Sequence, residues 1–369
     1  MQRSRILTAL LLAAFLATPA SAQSIVRSFD VGSGGTLALK LEAGGNVTIT
    51  GGSSQVEVEV QREGQDAEDV EVSFDNRSDH VMIRSEYASH GRHRADVTYT
   101  ISVPSRFNVD LQLSGGDVRI SGVNGRFEGQ TMGGDIRLTD LSGEVDLQTM
   151  GGEISVRQSQ LDGKVHTMGG EITMEDVEGT VESTTMGGDV TFRNVRPGAD
   201  SEMKVRTMGG SIEVNDAPAG ADVQTMGGDI TVGEVLGFLK AETMGGDIEV
   251  SGVDGWIEAK TMGGSVQVRM FGGTDGDRHV DITSMGGDID LVVPRGLSMD
   301  FDIEIEVEGR GKDASDYVIE SDFAMDVSVA GGSGSRDRSR IKANGIVGGG
   351  KNRIRIRTIN GDVRILADR

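Results

Sequence analysis

The chain has no cysteine, only five prolines and few aromatic residues (4%) among its 369 residues. Without cysteine we expect neither a disulfide framework nor a lipid-anchored amino terminus. Beyond the first residues there is no apolar run of the length that spans a bilayer, so we expect no transmembrane helix. The scarcity of proline beside 55 glycines is typical of many tight turns between short strands.

The first residues have the pattern of a secretory signal peptide. Arg3 and Arg5 form a short basic start, residues 6–17 are apolar, and residues 20–22 are small. This pattern predicts cleavage after residue 22, which leaves 347 residues. We therefore expect an exported protein in the periplasm, on the cell surface or outside the cell.

Negative charge dominates the chain. The formal net charge is −22, and it becomes −24 when Arg3 and Arg5 are removed. A protein this acidic repels nucleic acid and anionic membrane surfaces. Cations or basic partners would be attracted to it instead.

One tetrapeptide, Thr-Met-Gly-Gly or Ser-Met-Gly-Gly, occurs nine times. Its methionines are Met132, Met150, Met168, Met186, Met208, Met226, Met244, Met262 and Met285. Their spacing is 18 residues, except for one interval of 22 and one of 23. A fixed period of this length predicts a repeat array. We expect Gly-Gly to reverse the chain at a corner with positive φ, which glycine adopts without penalty.

Each tetrapeptide is followed by two rows of apolar residues. The first row lies four residues after each methionine, as at Ile136, and the second lies two residues further on, as at Leu138. Such a spacing places both rows on one face of a strand. A second short strand precedes each tetrapeptide, and two strands cannot bury a core alone. The sequence therefore predicts an all-β fold, a single-stranded β-solenoid (β-helix) with coils of about 18 residues.

A row of charged residues tests this prediction. Four residues before each methionine, from Asp146 to Glu258, the sign of the charge alternates at every step. In a parallel in-register stack these residues would lie about 4.8 Å apart. Opposite charges stabilise such neighbours, whereas like charges repel. We therefore expect Lys164 to lie beside both Asp146 and Glu182.

Four segments follow from these patterns. We predict a signal peptide (1–22), an N-terminal β segment that caps the solenoid (23–112), the β-solenoid repeats (113–296), and a C-terminal β segment (297–369) with a flexible loop at 331–340. The last segment has an acidic and a basic stripe, which we expect in neighbouring strands. The acidic stripe is Asp300, Asp302, Glu304, Glu306 and Glu308, and the basic stripe is Lys351, Arg353, Arg355 and Arg357.

Several short motifs follow one another along the chain in a recognisable order. They are "GGNVTI", then "VTYTISVPSRFNVDLQLSGGDVRISGVNG", the "TMGGDI" repeats, "VDITSMGGDIDLVVP" and "GGGKNRIRIRTINGDVRIL". This order resembles the bacterial envelope family of unknown function whose members are called putative adhesins. It is also similar to the head domains of autotransporter adhesins. The resemblance implies an exported β-helical protein, and it brings no catalytic residue.

The methionine row has two interpretations. Alternation along the preceding strand puts Thr131 inward and Met132 outward, although a corner can break alternation. As structural repeat residues, stacked methionines would fill an irregular gap at the corner. As an exposed row of thioethers, they would bind soft copper(I). The sequence favours the structural interpretation.

Two further rows are candidates for binding. The carboxylates after Gly-Gly are similar to calcium-binding β-roll repeats, but the second turn does not match and Ser211 and Ser265 interrupt the row. Phe238 and Trp256 occupy the same outward position on adjacent coils. Stacked aromatic side chains there could hold a sugar or a partner side chain, so this pair is the predicted contact patch.

The patterns predict a non-enzymatic, exported, adhesin-like protein that presents a rigid acidic surface to an envelope or surface partner, protein or glycan. No catalytic, cofactor-binding or metal site is assigned, because the five histidines are scattered. His80, His90, His93, His166 and His279 have no ligand spacing. The alternatives are an envelope carbohydrate-active enzyme and a calcium- or copper-binding scaffold.

Overall fold

The computed structural model describes residues 23–89, 91, 94–198, 201–309, 312–330 and 339–368. The predicted signal peptide, His90, His93 and most of the predicted flexible loop lie outside the described residues. Thirty strands join in one sheet, and the described residues contain no α-helix. The protein is all-β, as predicted.

The strands are short and follow one another closely. Before the first full repeat they are β1 (Gln23–Phe29), β2 (Thr36–Leu41), β3 (Asn46–Gly51), β4 (Val56–Gly64), β5 (Val70–Arg77), β6 (His80–Tyr87), β7 (Ala95–Val103), β8 (Asn108–Leu113) and β9 (Val118–Ser121). The repeats contain β10 (Asn124–Thr131), β11 (Ile136–Thr139), β12 (Ser142–Thr149), β13 (Ile154–Thr167), β14 (Ile172–Glu178), β15 (Val181–Thr185), β16 (Val190–Arg196), β17 (Met203–Arg206), β18 (Ile212–Ala217), β19 (Ala221–Gln224), β20 (Ile230–Glu242), β21 (Ile248–Thr261), β22 (Val266–Met270), β23 (Val280–Ser284) and β24 (Ile289–Val293). The remaining strands are β25 (Met299–Val307), β26 (Ile319–Ser321), β27 (Asp326–Ala330), β28 (Ser339–Val347), β29 (Asn352–Ile359) and β30 (Val363–Ala367). Two 3₁₀ turns lie at Ala67–Asp69 and Ala314–Asp316.

Consecutive repeats pair in parallel and in register. Thr149 pairs with Thr167 and Ile154 pairs with Ile172, a shift of one 18-residue repeat in both rows. The longer intervals keep the register, since Thr261 pairs with Ser284. Equivalent positions of successive repeats are therefore neighbours along the stack.

The charged row confirms this arrangement. Asp146 pairs with Lys164, and Lys164 pairs with Glu182 on its other side. Lys164 Nζ lies 3.2 Å from Asp146 Oδ2. Opposite charges alternate along this part of the stack, and repulsion between like neighbours is avoided.

The core lies between the two strands of each repeat. Ile154 and Val156, from the two apolar rows, face inward and are essentially inaccessible, as are Val145 and Leu147 from the strand that precedes the corner. Stacking continues this arrangement through the repeats. Each repeat therefore completes the core of its neighbours, which no repeat could bury alone.

A buried threonine links each corner to the one before it. The hydroxyl of Thr167 donates to the carbonyl oxygen of Gly152 in the preceding repeat, at 2.8 Å. The same hydroxyl accepts from the N–H of Gly170 in its own repeat, at 3.2 Å. This threonine bracket recurs at Thr149, Thr185, Thr207, Thr225, Thr243, Thr261 and Ser284.

The second glycine of the tetrapeptide is required by close approach of the backbone. A Cβ atom on Gly170 would lie 2.0 Å from the carbonyl oxygen of Gly152, and equivalent glycines meet the same obstacle. The expectation of positive φ is wrong for Gly170, which does not have positive φ. Among the second glycines of the tetrapeptides, Gly134 has it. Glycine is used here because the corners stack too closely for a side chain.

The acidic residue after Gly-Gly often completes the corner. Asp135 Oδ1 accepts from the backbone N–H of Glu153 at 3.0 Å, and Asp247 Oδ1 accepts from that of Ser265 at 2.7 Å. Each of these carboxylates thus satisfies a backbone donor of the next repeat. Their short side chains explain why aspartate is common at this position.

Residues before the repeats belong to the same stack. Leu37 in β2 pairs in parallel with Val109 in β8, and β8 pairs in parallel with β10. Beyond β2 and β3 lie β6 and β7. Antiparallel strands then cover the edge, since β4 pairs with β7 and β5 pairs with β6. Covering an open edge in this way removes a template for aggregation.

The other end of the stack is not built in chain order. β29 and β30 pair in parallel with β23 and β24, and β25 pairs with β29 on its far side. β28 then pairs antiparallel with β25, and β27 with β28. Strands from late in the chain therefore lie between the last repeat and β25.

The predicted pairing of the acidic and basic stripes is confirmed. Asp302 is the register partner of Arg355, and Glu304 is that of Arg357. Arg357 Nη2 also lies 2.7 Å from Asp302 Oδ2. The hydrogen bond from Arg357 holds the pKa of the Asp302 carboxyl below its usual range, with further lowering by the charges of Arg357, Arg355 and Arg353.

Substitution of the two glycines of one corner should have different effects. Gly170→Ala should lower the free energy of unfolding by about 1–3 kcal/mol, because its methyl group overlaps the Gly152 carbonyl. Gly169→Ala is the matched control, since its Cβ atom would lie 3.7 Å from the nearest oxygen. Urea denaturation followed by circular dichroism measures both, and equal losses would contradict the close-approach explanation.

Asp302 should contribute to the pH dependence of stability. A carboxyl with a depressed pKa in the folded state stabilises the protein above its unfolded pKa of about 3.9, and this contribution is lost as pH falls through the folded pKa. Asp302→Asn should therefore reduce the loss of unfolding free energy between pH 5 and pH 3, measured by urea denaturation. Asp300→Asn, at an exposed position of the same strand, is the control and should retain the full loss.

Candidate functional site

The predicted contact patch is formed by two stacked rings. Phe238 in β20 is the register partner of Trp256 in β21. Their ring centroids lie 5.2 Å apart with 17° between the planes, and both side chains are half-buried. The in-register stack thus places the two aromatic residues together on the outer surface.

A glycine in the preceding repeat makes room for the first ring. Gly220 has φ +90°, and a Cβ atom there would lie 2.4 Å from two carbon atoms of the Phe238 ring. The ring therefore lies over bare backbone. Lys240, two residues after Phe238 in β20, has its Nζ 5.8 Å from the centre of the Trp256 ring, a distance at which a cation is attracted to an aromatic face.

A groove of about 680 Å³ opens beside Phe238. It is lined by Gly163, Thr180, Glu182, Ser201, Glu202, Lys204, Pro218, Ala219 and Phe238. Lys204 Nζ lies 3.0 Å from Glu202 Oε1, and Arg206 Nη1 lies 2.7 Å from Glu182 Oε1. The groove therefore combines one aromatic wall with ion pairs that are open to solvent.

The nine methionines form an exposed row along the corners. Their exposed fractions range from 39% at Met168 to 64% at Met132, whereas the preceding threonines are at most 5% exposed. Strand alternation therefore continues into the corner, with threonine inward and methionine outward. The methionines do not fill an interior gap.

The carboxylate row accepts hydrogen bonds from the backbone. Asp135 and Asp247 accept N–H groups of the next repeat. Nowhere in the described part of the chain do three histidine, aspartate or glutamate side chains form a group that could hold a metal ion. His80, His166 and His279 belong to different strands or loops of the sheet.

A buried arginine that the sequence did not indicate lies in the loop before β23. Arg278 is 4% exposed. Its Nη2 lies 2.5 Å from Asp254 Oδ1, and its Nη1 donates to the carbonyl oxygen of Phe271 at 2.9 Å. The loop carries this arginine back against the stack. Its many glycines and acids indicated a loop, and no repeated spacing indicated that Arg278 would be buried.

No helix among the described residues is both long and apolar enough to cross a membrane. A search of curated proteins finds no match to the chain.

Several solved structures have limited similarity to this chain, and their names refer to adhesion. A "putative adhesin" from Parabacteroides distasonis is 14% identical, with a TM-score of 0.36, over 72% of this chain and 98% of its own. A "putative adhesin" from Bacteroides fragilis is 13% identical, with a TM-score of 0.26, over 95% and 100%. A "putative cell adhesion protein" from Clostridium sporogenes is 10% identical, with a TM-score of 0.19, over 94% and 100%. Scores this low assign no function to any residue of this chain.

The family comparison is more direct. Residues 30–243 match the family described as Toastrack DUF4097. The match begins in the turn before β2, runs through the parallel stack and ends in the corner after β20, so it covers more than half of the chain. The chain belongs to the Toastrack DUF4097 family.

Proposed function

We propose that this protein is an exported, non-enzymatic, adhesin-like protein whose repeats form a single-stranded β-solenoid that presents a rigid acidic surface to a partner. The observation that carries the proposal is the stacked pair Phe238 and Trp256 at the edge of an open groove. Export rests on the predicted signal peptide. The predicted segments 23–112 and 297–369 would close the two ends of the solenoid.

Rigidity supports a role in display. Every repeat is fixed to the next by two parallel strand pairings and, in most repeats, by the threonine bracket. Such a scaffold holds a surface patch at fixed geometry, so that little conformational entropy is lost when a partner binds. The outward position of Phe238 and Trp256 follows directly from this register.

The chemistry of the patch favours a protein partner with basic and apolar side chains. The Phe238 ring lies against the Gly220 backbone and also stacks on Trp256, so the open space is the groove beside it. A projecting side chain fits such a groove better than a flat sugar ring. The net charge of −22 would increase the rate of association with a basic partner.

Replacement of the tryptophan tests the proposal. Mature protein immobilised on resin should capture a specific protein from envelope extract, and Trp256→Ala should lower the captured amount at least tenfold, because it removes half of the ring pair. Val26→Ala is the control, since Val26 is 62% exposed and lies in β1, beyond the other end of the repeats. Quantitative mass spectrometry of the eluates gives the measurement, and melting temperatures verify that all three proteins are folded.

Three outcomes separate the possibilities. Loss of one basic protein with Trp256→Ala alone, and its release by salt, supports the proposal. Equal capture by both variants means that the rings only stabilise the stack. Capture that is abolished by glycosidase treatment of the extract identifies a glycan and overturns the assignment of a protein partner.

A further inference from the structure

The fold itself does not require methionine at the exposed corner position. Leu113 pairs with Thr131, so Ser114 occupies the methionine position one coil before Met132. Leu41 pairs with Leu113, so Glu42 occupies it one coil earlier still. The corner accepts serine and glutamate, with the pair of glycines directly after Ser114 and one residue later after Glu42. Nine consecutive methionines at a position that tolerates polar residues therefore need another explanation.

The register makes the methionines of successive repeats neighbours along the stack. The residues before the methionines pair from coil to coil, as Thr149 does with Thr167 and Thr261 with Ser284. Pairs of in-register strands lie about 4.8 Å apart. A metal–sulfur bond of about 2.3 Å, the length in zinc–thiolate sites, puts two sulfur atoms that share one ion in a line about 4.6 Å apart. The rise of the stack thus matches the span of one two-coordinate ion.

The donor type selects the metal. Thioethers are soft, neutral ligands that favour Cu(I), whereas oxygen ligands suit Mg²⁺, Ca²⁺ and Mn²⁺. The outward residues two positions before the methionines are mixed, among them Gln148, His166, Arg206 and Lys260. The thioether is therefore the one donor that recurs at every coil of the row. The strongly acidic protein also attracts cations to its surface.

We propose that the methionine row binds monovalent soft metal ions, Cu(I) above all, with each ion held between the thioethers of two adjacent coils. The ion enters and leaves as Cu(I), so no electron transfer is involved. Nine methionines in one row supply eight adjacent pairs. Ions bound to separate pairs would occupy at most four of them at once, because each sulfur atom serves one ion.

Two variants with the same composition test whether adjacency matters. The contiguous variant replaces Met132, Met150, Met168 and Met186 by Leu, and it keeps five adjacent methionines. The alternating variant replaces Met150, Met186, Met226 and Met262 by Leu, and no two of its remaining methionines are adjacent. Leucine matches methionine closely in volume and polarity, so both variants should fold, which melting curves verify.

The measurement is Cu(I) binding in the presence of ascorbate, by competition with the chromophoric chelator bicinchoninate. The contiguous variant should hold about half as many ions as the unmodified protein at unchanged affinity. The alternating variant should bind at least tenfold more weakly. The same number of bound ions at the same affinity in both variants would overturn the paired-thioether site. So would a contiguous variant that holds as many ions as the unmodified protein, or an alternating variant that keeps its affinity. Zn²⁺ should not compete for the row, and its competition would also contradict the proposal.

Discussion

The structure depends on one hydrogen-bonded unit, the threonine bracket. A hydroxyl such as that of Thr167 is bonded at the same time to the coil below, through Gly152, and to its own corner, through Gly170. Each bond contributes about 0.5–1.5 kcal/mol, which is modest, but the bracket also fixes where one corner lies on the next. Because side chains alternate along a strand, a slip of one residue would turn every core residue to the solvent. The bracket and the buried rows therefore specify the same register.

Fixed register converts the sequence into surface rows. Residues 18 positions apart become neighbours, so charges alternate around Lys164, the rings of Phe238 and Trp256 stack, and the methionines line one edge. The corner itself uses the threonine, the second glycine and, at many coils, the aspartate. The methionine, the ring pair and the groove beside it are what the stack leaves free for binding.

Sequence reasoning predicted the features that depend on periodicity. The 18-residue repeat, the inward apolar rows and the position of Lys164 all follow from spacing, and the structure agrees. Features that depend on contacts between unlike segments were not predictable in this way. Burial of Arg278 has no periodic signal, and the roles of Gly170 and Asp135 require knowledge of how closely two backbones approach. The contact patch itself stays a prediction, because stacking of its rings does not show what it binds.

The interleaved order of strands after the repeats has a consequence for how the molecule assembles. The repeats can pair one after another as the chain emerges, because β10 to β24 pair mostly with strands of the next repeat. β25 cannot dock in the same way, since its place on the stack is reached only after β29 has been laid down on β23. Closure of long loops slows folding. The last full repeat must therefore wait, with its edge open, for partner residues that are synthesised 74 residues later.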